Sequence, residues 1–545
     1  MKSRLVKFIC LVMGALLLCG CAPEHVETQP AQPDIKEVLT QISQLGSSPD
    51  DHYRVWYEIF VYSYCDSNGD GIGDLNGVRS KLDELQALGI NGIWLMPVHP
   101  STSYHKYNVT DYYKIDPDYG TLEDFEMLLA ECESRGIKVI MDLVVNHSGS
   151  THTWFQQLCT YLRSLPEGYP ASADECQYVD YYNLSTTAEP GYTQISGTSY
   201  YYESRFSPEM PDLNLDSDQV RQEIRNIMQF WLDKGVDGFR LDAAKEFWSG
   251  DVKRNVEVLS FLQDTARSIK PDAYMVAEVW DNYFQVTQYY QGGFTSLFNF
   301  PFGDSTGKIA ETLRFAGSAT RIPTYATYME KAHKDYSASN PNYIDAPFLS
   351  NHDVGRIAGF VSRNEQKVKL AAAMNIFMSG SVFIYYGEEI GMVSGGTDDP
   401  SKRAPMYWNP ERNNGTTALP PGCKLPAEYP FGSLQEQKGD YYSIYNYYRQ
   451  AIAIRNALPV ISHGVPTAET TLNVGCISAI RKTWNDQSCI ILMNIQNESA
   501  QVDLSAYANW KLAATLSADE QEITMDGNVL TIGAFGVAIL IPEAG

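Results

Sequence analysis

Three stretches of the chain repeat one pattern of apolar and polar positions. Apolar residues recur at helical spacing, a glycine follows, and a short, almost continuous apolar run comes next. The first stretch is Val78–Leu88, Gly89, then Ile93–Met96. The second is Leu122–Arg135, Gly136, then Val139–Leu143, and the third is Val220–Lys234, Gly235, then Gly238–Asp242. Spacings of three and four predict helices with one buried face, and glycine supplies the helix stop. Runs that are apolar on both faces predict strands of a parallel sheet covered by helices. Further strands are expected at Val55–Tyr62, Tyr274–Val279, Ser296–Phe300, Ala346–Ser350 and Ser381–Tyr386. Eight strands close a TIM barrel, and no GxGxxG follows an early strand, which disfavours an open doubly wound sheet. The expected fold class is therefore α/β, a (β/α)8 barrel formed by residues 51–147 and 213–458.

Two regions break the pattern. The connection from Asp142 to the helix near Asp218 is too long for a structureless loop, so residues 148–212 are expected to form a folded insertion after the third strand. Its many tyrosines (Tyr178, Tyr181, Tyr182, Tyr200, Tyr201, Tyr202) read as packing within that insertion. After a helix at Tyr441–Ala457, residues 459–545 alternate apolar and polar in short runs and predict a C-terminal antiparallel β-sandwich.

The N-terminus reads as an export signal. Lys2, Arg4 and Lys7 precede the apolar stretch Phe8–Leu18, which is too short to span a bilayer comfortably. Gly20 before Cys21 is similar to a bacterial lipobox, with residues 1–20 removed and a lipid placed on Cys21. Residues 21–50, rich in Pro, Gln and Ser, are expected to be a tether. The expected location is thus outside the cytoplasm, on a membrane surface, through the lipid anchor only. Ten cysteines occur in 545 residues without a CxxC pair, so a zinc cage is not expected. Cys159–Cys176 and Cys476–Cys489 are candidate bridges. The balance of 41 Lys+Arg against 66 Asp+Glu, net −25, argues against a nucleic-acid partner and suits a neutral substrate.

The chemistry gathers at strand ends, where a barrel builds its site. Asp142, Asn146 and His147 follow one strand; Arg240 and Asp242 close another; Glu278 ends a third; His352 and Asp353 follow a fourth. Arg240 and Asp242 are two residues apart, so both project from one face and the cation can hold the carboxylate ionised. Several carboxylates in one pocket crowd like charges and raise the pKa of at least one. One ionised and one protonated carboxyl is what glycoside hydrolysis requires.

These stretches resemble the α-amylase family, glycoside hydrolase family 13: Asp142-Leu-Val-Val-Asn146-His147, Gly238-Phe-Arg240-Leu-Asp242-Ala-Ala-Lys245, Glu278-Val-Trp280 and Phe348-Leu-Ser-Asn351-His352-Asp353, with Met210-Pro-Asp-Leu-Asn214 as a fifth. The resemblance implies Asp242 as nucleophile, Glu278 as general acid/base and Asp353 as transition-state stabiliser, in a retaining mechanism. It also implies that Arg240, His147 and His352 hold the reacting sugar, that Tyr107 stacks on it, and that Lys245 lies on the leaving-group side. Asp66, Asn68, Asp70, the Ile72 carbonyl and Asp74 are similar to a structural calcium loop of the family. A second calcium would use Asn146, but Glu246 follows Lys245 where many α-amylases have His. The implied activity is endo-hydrolysis of α-1,4-glucosidic bonds in starch and maltooligosaccharides by a monomer. An exo-acting α-glucosidase, oligo-1,6-glucosidase or neopullulanase-like activity with transglycosylation is the alternative within the same machinery. A non-catalytic glycan-binding protein is the alternative of another class.

Overall fold

The computed structural model describes residues 32–166, 168–314, 316, 324–472 and 475–543. In chain order the barrel begins with β1 (Val55–Ile59), β2 (Gly92–Leu95) and β3 (Lys138–Leu143). The insertion carries β4 (Leu184–Ser185), β5 (Tyr192–Gln194) and β6 (Tyr201–Glu203). The barrel resumes with β7 (Gly238–Leu241), β8 (Tyr274–Ala277) and β9 (Val382–Tyr385). Its six strands are parallel in the order β8-β7-β3-β2-β1-β9. The two remaining staves, 296–300 and 346–350, are extended segments rather than full strands. Leu297 bridges Ala277, Phe298 bridges Ala346, and Phe383 N–H donates to the Pro347 carbonyl at 2.8 Å. The ring closes, but Pro347 has no N–H to give to the ladder, so pairing there is sparse.

Local chemistry sets the element ends. Thr121 and Asp124 form a capping box on the helix Leu122–Ser134, and Ser217 caps the helix Asp218–Asp233. Gly89 and Gly136 take φ of 96° and 70° after their helices, a conformation that costs other residues strain. The single helix expected over Val78–Leu88 is instead two, Leu75–Ser80 and Leu82–Leu88, broken at Lys81. It starts earlier because Asp74 caps it, accepting from Gly77 N–H at 2.7 Å. The first strand stops at Ile59, and Val61–Tyr64 form one helical turn that buries Val61 and Tyr64.

The barrel interior is filled by a layer of large side chains. Trp56, Trp94, Ile140, Tyr274, Val276, Phe298 and Phe383 pack as one cluster inside the ring. Side chains alternate along a strand, so residues two further on face the same lumen. Moving two from Trp56, Ile140 and Val276 reaches Glu58, Asp142 and Glu278. The apolar layer is therefore the support for an ionisable one.

The insertion after β3 contains the helix Thr153–Ser164 and the antiparallel sheet β4-β6-β5. Tyr181, Tyr182 and Tyr202 are buried in it, whereas Tyr178, Tyr200 and Tyr201 are only partly buried. The C-terminal region has β10 (Val465–Ala468), β11 (Ile477–Trp484), β12 (Gln487–Asn494), β13 (Ala500–Asp503), β14 (Trp510–Leu516), β15 (Thr524–Asp526), β16 (Val529–Ile532) and β17 (Val537–Pro542). These form antiparallel sheets β10-β11-β12-β17-β14 and β13-β16-β15, with Ile490, Leu492, Val502, Leu530 and Leu540 between them. Lys482 fastens this region to the barrel: its buried Nζ donates to the Phe377 and Ile461 carbonyls, each at 2.6 Å.

Two expectations are corrected. The proposed tether is partly folded: Ile35–Ser43 is a helix capped by Asp34, packed against the helix Ile444–Ala457. Ile35, Val38, Leu39 and Ile42 form an apolar stripe that the surrounding Pro, Gln and Ser residues mask. The candidate disulfides are absent, since all seven described cysteines are free. In the β11–β12 hairpin Cys489 faces Lys482, while Cys476 lies before β11 at the other end. The leader and Cys21 lie outside the described residues. No described helix is long and apolar enough to cross a membrane.

Candidate active site

Arg240 is the hub of the lumen. It is 1% exposed, and its Nη1 reaches Asp142 Oδ1 and Asp242 Oδ1, each at 2.5 Å. Its Nη2 reaches Glu278 Oε2 at 2.9 Å. One guanidinium thus gathers carboxylates from β3 and from the ends of β7 and β8, the fork geometry that lysine cannot provide. Trp94 Nε1–H donates to Asp142 Oδ2 at 2.9 Å, which leaves Asp142 wholly occupied within the protein. Asp242 and Glu278 instead face a cavity of about 710 Å³.

The turn after β7 aims the second carboxylate. Ala243 has φ 48°, the left-handed region that a residue with a Cβ occupies at a cost. That conformation directs its N–H to Glu278 Oε2 at 2.9 Å. Burial raises the Glu278 pKa, opposed by Arg240 and reinforced by Asp242 and Asp353. Glu278 is therefore biased towards the protonated form.

Asp353 lines the same cavity. Arg403 Nη2 stands 2.7 Å from its Oδ1 and His352 Nε2 stands 3.0 Å from its Oδ2. Burial works to raise its pKa, but His352, Arg403 and Arg240 outweigh it and hold the carboxyl well below the usual range. Two carboxyl groups in one cavity are thus pushed in opposite directions, which suits Glu278 to give a proton and Asp353 to stay ionised beside a developing positive charge.

The sugar-holding candidates also meet here. Tyr107, His147 and Lys245 line the cavity. His147 is 2% exposed, and its Nε2 has no partner among the described residues, a donor or acceptor available to a ligand. Tyr107 stacks on His352 with ring centroids 5.5 Å apart, and its hydroxyl lies 2.7 Å from His352 Nε2. Lys106 before it has φ 66° and is pinned by Asp116 at 2.8 Å, which fixes the turn that presents Tyr107. Lys245 Nζ donates to the Trp280 carbonyl at 2.9 Å. Trp280 is 43% exposed and stacks on Phe300, so one face is free for an apolar sugar surface.

Sequence reasoning missed Glu58 and Arg403. A carboxylate in the apolar run Val55-Trp-Tyr-Glu58-Ile59 is a legible anomaly. Arg403 follows no periodic pattern and had no local signal. Phe206, Glu209 and Met210 of the insertion also line the cavity.

The Asp66–Asp74 loop presents oxygen donors at alternate positions, a set suited to a hard cation. Asp66 Oδ2 accepts from Gly71 N–H at 2.9 Å, Asn68 from Asp70 N–H at 2.9 Å, and Asp70 from Ile72 N–H at 2.8 Å. Asp74 is turned away onto Ser67 and the helix cap at Gly77. Among the described residues no three His, Cys, Asp or Glu side chains stand together as a metal cage. The donor types of the loop suit such an ion, and Asp74 also caps the following helix. Asn146 Nδ2 donates to Asp212 Oδ1 at 3.3 Å where the barrel meets the insertion.

Comparison with known proteins gives the family. The Alpha amylase, catalytic domain family model matches residues 58–464. Alpha-amylase 3 of Dictyoglomus thermophilum is 40% identical over 415 residues, covering 75% of this chain and 78% of that protein. The oligo-1,6-glucosidase of Heyndrickxia coagulans is 29% identical over 75% of this chain and 86% of its own length. Among solved structures, Eubacterium rectale Amy13B is 40% identical with a TM-score of 0.89, covering 93% of this chain and 99% of that one. The barrel, the cavity and these matches make this chain a member of the α-amylase family of glycoside hydrolases, glycoside hydrolase family 13.

Proposed function

We propose that this enzyme is a retaining, endo-acting α-1,4-glucan hydrolase, an α-amylase. The observation that carries this reading is the shared guanidinium, which holds Asp242 and Glu278 on one cavity that Asp353 also lines. In the first step protonated Glu278 gives its proton to the glycosidic oxygen. The Asp242 carboxylate attacks the anomeric carbon, the carbon–oxygen bond breaks, and the leaving chain departs as an alcohol. In the second step the Glu278 carboxylate takes a proton from water. The oxygen of that water attacks the same carbon, Asp242 leaves, and the α-configuration is restored. Ionised Asp353 stabilises the oxocarbenium-like charge between the two. His147 and Tyr107 meet the sugar, Arg240 and His352 hold the carboxylates that surround it, and Lys245 and the open face of Trp280 meet the leaving chain.

Ala243 after the nucleophile and the α-amylase relatives support the α-1,4 assignment. The oligo-1,6-glucosidase relative, and the insertion residues Phe206 and Met210 on the cavity rim, favour short-oligomer or α-1,6 activity as the second reading. A product time course decides between them. Early release of mixed maltooligosaccharides from amylose, with isomaltose and pullulan resistant, is expected. Glucose as the sole early product, or rapid isomaltose cleavage, would establish the second reading.

The same proposal gives calcium a structural place at Asp66, Asn68, Asp70 and the Ile72 carbonyl, with no part in the reaction. Removing the ion with a chelator is expected to lower the melting temperature and calcium to restore it. Calcium at about a hundred times its dissociation constant stabilises by about 2.7 kcal/mol. An unchanged melting temperature at high chelator and high calcium alike would remove calcium from the proposal. Export and lipidation at Cys21 belong to this reading through the leader alone.

A further inference from the structure

Several buried acids take no part in the proposed reaction, among them Glu58, Asp345, Glu388 and Glu389. Glu58 stands at the end of β1, 1% exposed, in the ionisable layer of the lumen. It does not line the cavity and cannot touch the substrate. Its Oε1 lies 2.5 Å from His352 Nδ1 and 3.4 Å from the His352 backbone nitrogen. The other ring nitrogen, Nε2, lies 3.0 Å from Asp353 Oδ2. The three groups form one line: carboxylate, imidazole, carboxylate, with the far end in the cavity.

An imidazole has two nitrogens, and the group on one decides what the other can do. A carboxylate at each nitrogen favours two donors and hence an imidazolium, with the Tyr107 hydroxyl, 2.7 Å from Nε2, able to accept as well as to donate. A neutral partner at Nδ1 would leave the ring free to lose a proton. Nε2 could then turn its lone pair towards Asp353, a repulsion where there had been a charge-assisted hydrogen bond.

We propose that Glu58 is a positioning residue that keeps His352 doubly protonated, so that His352 donates to Asp353 and holds that carboxylate in place for the reacting sugar. The inference rests on the catalytic reading of Asp353. The imidazole is faced by groups from several elements, His105 among them. Glu58 comes from β1. Asp353 is its chain neighbour, and Arg403 Nε donates to the His352 carbonyl at 3.1 Å. The Tyr107 hydroxyl lies 2.7 Å from Nε2, nearer than Asp353, the Tyr107 ring stacks on the imidazole, and Trp94 approaches edge-on at 5.7 Å. Asp142 and Arg240 act from the next rows with opposite signs. Burial would lower the His352 pKa, yet Asp353 and Glu58 together push it up to about 10.

The sign of the expected effect follows. In the wild type the carboxylates at both nitrogens keep His352 charged while Glu278 loses its proton, so the alkaline limb of kcat/KM is expected to be a one-proton event. Glu58→Gln keeps the shape and removes the charge. The His352 pKa then falls into the range of Glu278, and both protons leave together. The variant is expected to show an alkaline limb displaced by at least about one pH unit to lower pH and steepened towards a two-proton slope, with kcat/KM at pH 8 reduced about tenfold or more. Glu58→Asp keeps the charge and is expected to restore the one-proton slope in part.

A merely structural Glu58 would lower activity by the same factor at every pH and leave the profile unchanged in shape. That result, in a variant with a normal melting curve, would overturn the proposal. A second measurement needs no activity. In histidine-labelled wild-type protein, the His352 resonance (assigned through His352→Gln) is expected to report an imidazolium at pH 8. A neutral ring there would also overturn it. Failure of the catalytic reading is a separate result: it would appear as Asp353→Asn retaining full activity while His352 of the wild type titrates as described.

Discussion

Glu278→Gln is expected to lower turnover of amylose by about 10³–10⁴-fold, the contribution of a positioned proton donor. The loss should depend on the leaving group. A maltosyl fluoride departs without needing a proton, so the same variant should form its glycosyl-enzyme on that substrate at close to the wild-type rate and then stall. Deglycosylation still requires a base to activate water, so the covalent species should accumulate and be visible by mass as one maltosyl addition to Asp242. Asp242→Asn should be inactive on both substrates, because the nucleophile itself is gone. The two variants therefore separate the two roles on one cavity. Equal losses on amylose and fluoride for Glu278→Gln would remove it as the acid. The wild-type profile should agree: burial raises the Glu278 pKa, so the active, protonated acid persists above the ordinary glutamate range and activity falls as pH rises through that raised value.

Arg240→Met is expected to abolish activity and to destabilise the fold by about 3–5 kcal/mol, the cost of removing one partner from a buried ion pair. The guanidinium is the cation that holds Asp142, Asp242 and Glu278 together, and Asp142 and Glu278 are each nine-tenths buried or more. Without it the carboxylates repel one another in a water-poor lumen, and protonation is the remaining way to relieve them. The stability loss should therefore depend on pH with a definite sign. Their folded-state pKa values would lie above the unfolded ones, so the folded variant binds more protons and loses stability as pH rises. Denaturant unfolding at pH 5 and pH 8 is expected to show a larger deficit at pH 8. A deficit of the same size at both values would mean that Arg240 acts through packing, with the charges compensated elsewhere.

Both expectations concern residues that the primary structure already marks. The alternation of helix, glycine and apolar run announces a barrel, because a strand buried on both faces needs a helix on its outer side. Arg240 and Asp242 are two apart, and two is the period of a strand, so their common face is a property of the chain alone. Strand-end acids at 142, 242, 278 and 353 follow from the same arithmetic. The short insertion strands β4 to β6 and the stripe of Ile35, Val38, Leu39 and Ile42 were hidden by polar neighbours, whose composition outweighs a local period.

The rest belongs to the closed ring. Sequence could place several carboxyl groups near one mouth, but not say which is biased to keep its proton. That division depends on Ala243 adopting a left-handed turn, on Arg403 arriving from a loop without periodic signal, and on β1 lying beside β9 so that Glu58 meets His352 across 294 residues. A pKa is a sum over every charge within a few ångströms and over the water excluded from them. Neighbours along the chain fix which face a side chain takes, and only the folded barrel fixes what it meets there.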